Sequence, residues 1–212
     1  MKMHQSRSYA LLLDCIDKDI LPPYMAMGSS PEDLSFRKYQ GKLILGGHGG
    51  KTGGTSDNFR KLLEDARRYY PEAKVIHAWA AQDCMTLDQM PYIGNHIPGH
   101  PGVKVATGYN KWGMTNSMVA ALSLTGQLDR ELADIFYPHR SMMHPQVFFN
   151  FATSTTNFLK LKKPRCSHMG CALTWNESEQ SWDCPCHGSR FDRDGAVLNE
   201  PASKAITKTS DI

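Results

Sequence analysis

The chain has 212 residues, with 24 basic and 21 acidic side chains and a formal net charge of +3. Hydrophobic residues make up 41% and charged residues 21%, the balance of a soluble globular protein of one or two domains. So small a net charge gives no ground for a nucleic-acid or membrane-surface partner. The most apolar run, Met118 to Leu124, falls far short of the ~18 residues of a membrane span. Near the N-terminus the stretch Tyr9 to Leu13 is cut by Asp14, too short for a signal-peptide core, which points to a cytoplasmic location. In that compartment clustered cysteines are more often metal or redox sites than structural disulfides. Cys15 and Cys84, which stand alone, are read as inert buried thiols.

Short apolar segments at Arg7–Leu13 and Lys42–Leu45 read as strands. Gly46 to Gly54, GGHGGKTGG, contains Gly50-Lys51-Thr52 in the manner of a phosphate-binding loop. Leu45 stands where that motif needs a glycine, however, and Gly53-Gly54 intervene where its helix would open. The glycines are expected instead to let the backbone turn tightly or approach a ligand closely. A helix follows, capped by Ser56 or Asp57, apolar at Phe59, Leu62, Leu63, Ala66 and Tyr70, and stopped by Pro71.

Lys74 to Ala80 is a further strand. Val103 to Thr107 runs into a glycine-flanked turn, after which Thr115 or Asn116 caps a helix to Leu124. The bare amides and positive dipole end of such a helix favour an anionic group. From spacing alone, a packed strand–turn–helix is the simpler reading.

The composition changes near residue 158. The run Lys160, Lys162, Lys163, Arg165 reads as a solvated connector. Residues 166 to 191 then read CSHMGCALTWNESEQSWDCPCHGSRF and hold four of the six cysteines. Cys166-x-His168 and Cys184-x-x-His187 form two ligand pairs. Two cysteines and two histidines suit a tetrahedral structural zinc site. Because each loop supplies one of each, they also suit a two-iron cluster in which one iron takes both thiolates and the other both imidazoles. His96, His100, His139 and His144 form no second site, since Pro98-Gly99 breaks the only helical spacing among them; they are read as surface or hydrogen-bonded residues.

Two resemblances go further. Residues 1 to about 140 resemble the C-terminal half of the glycine/D-amino-acid oxidase-like family of FAD-dependent oxidoreductases. The resemblance rests on RSYA (7–10), SFR (35–37), LILGGHGGKTG (43–53), AWAAQDCMTLDQMPYIG (78–94) and VATGYNKWGMTNSMVAA (105–121). It implies an α+β domain with a mixed sheet and helices, and a flavin lying against Gly108, Trp112, Gly113, Met114 and Thr115. Arg37 and Asp88 become candidates near the flavin or substrate. That family's strand–GxGxxG–helix, which holds the FAD diphosphate, has no counterpart in this chain. The chain therefore reads as a fragment or one half of a split protein, with FAD expected only alongside the missing domain or a partner chain.

CSHMGC and CPCHGS resemble the two cluster-binding boxes of Rieske [2Fe–2S] proteins over about residues 164 to 203, and Gly195 and Pro201-Ala202 resemble the proline loop of that family. This resemblance implies that Cys166 and Cys184 bind one iron and His168 and His187 the other. It also implies a Cys171–Cys186 disulfide and a Ser189 hydroxyl donating to a cluster sulfur. Phe191 stands where high-potential members carry a tyrosine, which implies a lower potential.

The arrangement expected is a flavin oxidoreductase domain over 1–157, followed by a small, reduced all-β Rieske domain over 158–212 that leans on the first for support. The activity implied is oxidation of an amine or amino acid, with electrons leaving singly through the cluster to a protein or quinone-like acceptor. The alternatives are a non-catalytic Rieske carrier with a remnant flavoprotein domain and a zinc-stapled interaction module.

Overall fold

The computed structural model describes residues 2–14, 24–25, 34–54, 57–140, 145–160 and 163–206; Cys15, Ser56, His144 and Lys162 lie outside the described residues. Strands β1 (Met3–Asp14), β2 (Tyr24–Met25), β3 (Ser35–Tyr39), β4 (Lys42–Lys51) and β5 (Lys74–Thr86) form a sheet in the order β2-β3-β4-β1-β5. From Arg7 onward β1 alternates, burying Arg7, Tyr9, Leu11 and Leu13. It pairs antiparallel with β4, which sets Leu11 opposite Leu45 and Leu13 opposite Leu43. Helix α1 (Asn58–Tyr69) adds Leu62 and Ala66 to this core, and Phe59, Leu63 and Tyr70 pack against it. Asp57 occupies the N-cap position without a side-chain cap bond; its carboxylate pairs with Arg60 and Lys61 instead.

The glycine run differs from its expectation. Gly46 to Gly50 belong to β4, and the chain turns only after Lys51. The strand lies between β1 and β3, where a Cβ on Gly46 would sit 2.6 Å from the Ser35 hydroxyl. The small residues here serve close packing within the sheet.

The chain divides into two compact units, one of Met1–Gln5 with Asp83–Thr156, the other of Ser6–Gln82 with Asn157–Ile212. In the first, β6 (Tyr92–Ile97) and β7 (His100–Thr107) make an antiparallel hairpin, followed by α2 (Gly113–Leu124) and α3 (Arg130–Ile135). Helix α2 begins earlier than expected. Trp112 is its N-cap residue, so Thr115 and Asn116 lie within the first turn, and the Asn116 amide donates back to the Tyr109 carbonyl at 3.0 Å. Helix α4 (Pro145–Leu159) leads to the second unit's cysteine-rich portion.

There β8 (Thr174–Asn176), β9 (Ser181–Asp183), β10 (Arg190–Phe191) and β11 (Val197–Asn199) form a four-stranded antiparallel sheet in the order β11-β10-β9-β8. Its core is Cys166, Cys171, Leu173, Cys184, Cys186, Phe191, Ala202 and Ile206. Trp175 and Trp182 pair across the strands with centroids 5.0 Å apart. The architecture is α+β, with a mainly β C-terminal module. No described helix is long and apolar enough to cross a membrane.

Candidate metal centre and flavin-side turn

Each cluster box is a tight loop closed by its own backbone. The Gly170 amide donates to the Cys166 carbonyl at 2.8 Å, and the Gly188 amide to the Cys184 carbonyl at 3.0 Å. These equivalent turns bring the loops together: Cys171 and Cys186 are joined in a disulfide, and the Cys184 sulfur lies within 4.8 Å of both. Cys166 and Cys184 are free thiols, 3% and 0% exposed. The His168 and His187 rings meet edge-on with centroids 5.0 Å apart.

The electrostatics suit a metal. The hydrogen bond between the two thiols, outweighing burial, brings Cys166 down to about 6, while the same contact and burial push Cys184 up. The pair therefore retains one proton, which a metal would displace. Burial, reinforced by the neighbouring His168, lowers His187, keeping its imidazole neutral with a free lone pair. His187 Nδ1 is buried and has no hydrogen-bond partner among the described residues. A buried polar atom left unpaired is costly unless something binds it. The donor set of two thiols and two imidazoles, with one ring nitrogen held open, fits a mixed Cys/His iron–sulfur cluster.

Ser189 is fully buried; its oxygen accepts the Ala202 amide at 3.0 Å, and it is hydrogen-bonded to Cys166. Phe191, also fully buried, packs in the same core without a polar group to offer.

The residues expected beside a flavin lie mostly around one turn. Gly108 has φ +73°, and any side chain there would strike Thr86. Buried Asn110 holds the turn: its Oδ1 accepts the Thr86 amide at 2.8 Å and its Nδ2 donates to the Gly108 carbonyl at 2.6 Å. No side chain caps α2, and Trp112 and Met114 are 57% and 89% exposed. Gly113 and Thr115 are exposed beside them. Bare amides ringed by uncovered apolar side chains fit the polar edge of a flavin. Asp88 forms a two-pronged ion pair with Arg140 at 2.7 and 2.9 Å. Arg37 lies exposed on β3, in the other compact unit.

Sequence reasoning missed Thr52, Gln82, Arg7, Glu179 and Arg190. The Thr52 hydroxyl donates to Gln82 Oε1 at 3.0 Å, and Gln82 Nε2 donates to the Gly188 carbonyl at 2.9 Å. Arg7 pairs with Glu179, which also meets Arg190 at 3.1 Å, and Arg190 bonds Asp183 at 2.8 Å. A GKT run next to a turn and a lone arginine in an apolar strand were the only signals available.

Comparison with known proteins supplies two domain matches. The family model for FAD dependent oxidoreductase matches residues 1–127, and that for the Rieske [2Fe-2S] domain matches residues 144–210. The chain is 29% identical to protein YhfW of Bacillus subtilis (strain 168), provisionally named a Rieske 2Fe-2S iron-sulfur protein; the alignment covers 97% of this chain and 50% of that one. Over 41 residues it is 54% identical to cytochrome b6-f complex iron-sulfur subunit 2 of Cyanophora paradoxa, covering 19% of this chain and 17% of the relative. Among solved structures, glycine oxidase from Geobacillus kaustophilus superposes with a TM-score of 0.54 at 17% identity. That match covers 67% of this chain and 40% of the other, and shows a shared fold. The chain thus spans about half the length of the full-length relative it matches.

Proposed function

Because the chain belongs to the FAD dependent oxidoreductase family and carries a Rieske [2Fe–2S] domain, we propose that it is the electron-transfer portion of a flavin- and cluster-containing oxidoreductase acting on an amine or amino-acid-like substrate. We place the boundary between its two sequence domains at 157/158, giving 1–157 and 158–212. The observation that carries the cluster assignment is the unpartnered, buried Nδ1 of His187 beside two free, buried thiols. When bound, the flavin accepts electrons in pairs from a substrate and the cluster passes them on singly.

This chain's residues hold and tune. Cys166 and Cys184 would hold the cluster through their sulfurs, and His168 and His187 through ring nitrogens. The Cys171–Cys186 disulfide ties the two loops together, and the Ser189 hydroxyl withdraws charge from the Cys166 sulfur. The turn from Gly108 through Gly113 to Thr115 offers uncapped amides to the electron-rich edge of a flavin whose phosphates another polypeptide segment would bind. His168, on an exposed loop, offers the acceptor an approach to the cluster.

Electron paramagnetic resonance of the dithionite-reduced, cluster-loaded protein tests the assignment. A rhombic signal of low average g value is expected from mixed Cys/His ligation. A colourless, zinc-bearing and silent protein would overturn it. Flavin content after co-expression with a GxGxxG-bearing partner then separates an oxidoreductase from a carrier: stoichiometric FAD supports the first, and none the second.

A further inference from the structure

The cysteine-rich module is seated on the flavoprotein-type sheet at three points, two of them on the loop that bears His187, all within one compact unit. At the first, the Gln82 side chain is fixed at both ends. The Gly188 carbonyl can only accept, so Nε2 must face it; Oε1 therefore faces the Thr52 hydroxyl, which is 2% exposed. At the second, Gly53 comes so close that a Cβ on it would lie 2.7 Å from the Pro185 nitrogen, between Cys184 and Cys186. The third is the ion pair of Arg7 with Glu179, which passes to Arg190 beside Ser189.

The Gly188 peptide follows His187 directly. Its N–H is spent inside the loop on the Cys184 carbonyl, and Gln82 satisfies its carbonyl. A buried carbonyl deprived of its donor bears the full cost of desolvation, which favours a shift of the backbone at Gly188, next to His187.

We propose that Gln82, oriented by Thr52, is a positioning residue for the cluster: acting through the Gly188 peptide, it sets the placement of the His187 imidazole and raises the reduction potential. This inference rests on the reading of Cys166, His168, Cys184 and His187 as cluster ligands. The carboxamide N–H points the positive end of its dipole at the Gly188–Ser189 peptide, one residue past His187, which favours the reduced, more negative state. Gln82 thereby makes the cluster's electronics depend on a strand of the neighbouring fold.

The test is a redox titration with paramagnetic resonance of the full, cluster-loaded chain as wild type, Gln82→Leu and Thr52→Val. The expected result is a lower potential and altered g values in Gln82→Leu, with a smaller shift of the same sense in Thr52→Val. Unchanged potential and g values in a loaded Gln82→Leu protein would overturn the inference while leaving the cluster assignment intact. If Gln82→Leu does not retain a cluster, Thr52→Val decides on its own, a lowered potential supporting the proposal and an unchanged one sinking it. A wild type without the rhombic signal fails at the earlier step, the ligand assignment, and overturns both.

Discussion

Arg7 on β1 and Glu179 in the β8–β9 turn, 172 positions apart, form a two-pronged ion pair with side chains 5% and 10% exposed. The pair fastens the cysteine-rich module to the sheet. The Glu179 charge, after burial itself, is also the leading electrostatic reason that the Tyr9 hydroxyl is pushed above its ordinary value. Removing Arg7 takes a charged hydrogen-bond partner from buried Glu179 and leaves it only Arg190 and Asn176, at ~2 kcal/mol. Arg7→Met is therefore expected to lower stability by about that amount in urea unfolding. The double variant Arg7→Met/Glu179→Met should recover part of the loss, because no under-compensated carboxylate is left buried; equal losses in both would contradict this account.

Arg140 gathers Asp88 and the carbonyls of Met90 and Pro91. Burial raises Asp88, but the Arg140 guanidinium and the Met90 amide outweigh it and hold the carboxyl below its ordinary 3.8. A group depressed on folding stabilises above its unfolded value, and that stability is lost as pH falls through the folded value. Arg140→Ala should cost ~2 kcal/mol at pH 7. The gap between wild type and variant should narrow below about pH 3.8. Unfolding curves at pH 7 and pH 3 check this, and a gap that widened in acid would contradict it.

The disulfide joins residues 15 positions apart, a closure that lowers the entropy of the unfolded chain. Cys186→Ser is expected to destabilise by ~3 kcal/mol. Because the same loops carry the ligands, the variant should also release iron faster to a chelator. Iron release at the wild-type rate would argue that the bridge has no part in holding the metal.

Ser189 and Phe191 bear on the potential in opposite senses. Ser189→Ala removes a donor from the Cys166 sulfur and should lower the potential; it also leaves the Ala202 amide unpaired, at ~1 kcal/mol. Phe191→Tyr adds a hydroxyl in the core that contains both ligand cysteines and should raise the potential. Redox titration of both variants decides, and an absent upward shift in Phe191→Tyr counts against the second claim.

The sequence by itself determined the two closely spaced Cys/His boxes and the glycine turn that runs into a helix after Gly108. Those signals are local: Cys166 and His168, or Gly108 and Trp112, lie within one loop, so spacing in the chain is spacing in space. α1 was legible for the same reason, its apolar residues recurring at the helical period. What only tertiary structure decided lies between residues far apart in the chain. Gln82 and Arg7 are polar residues in strands, a pattern that reads as solvent-facing until a partner 106 or 172 positions away is brought against them. Nor did the sequence show that Arg140, 52 positions on, holds both oxygens of Asp88. The glycine run reads as a loop because small residues loosen an isolated chain. It forms a strand here because β1 and β3 flank it, and the absence of side chains lets Ser35 and Pro185 come close.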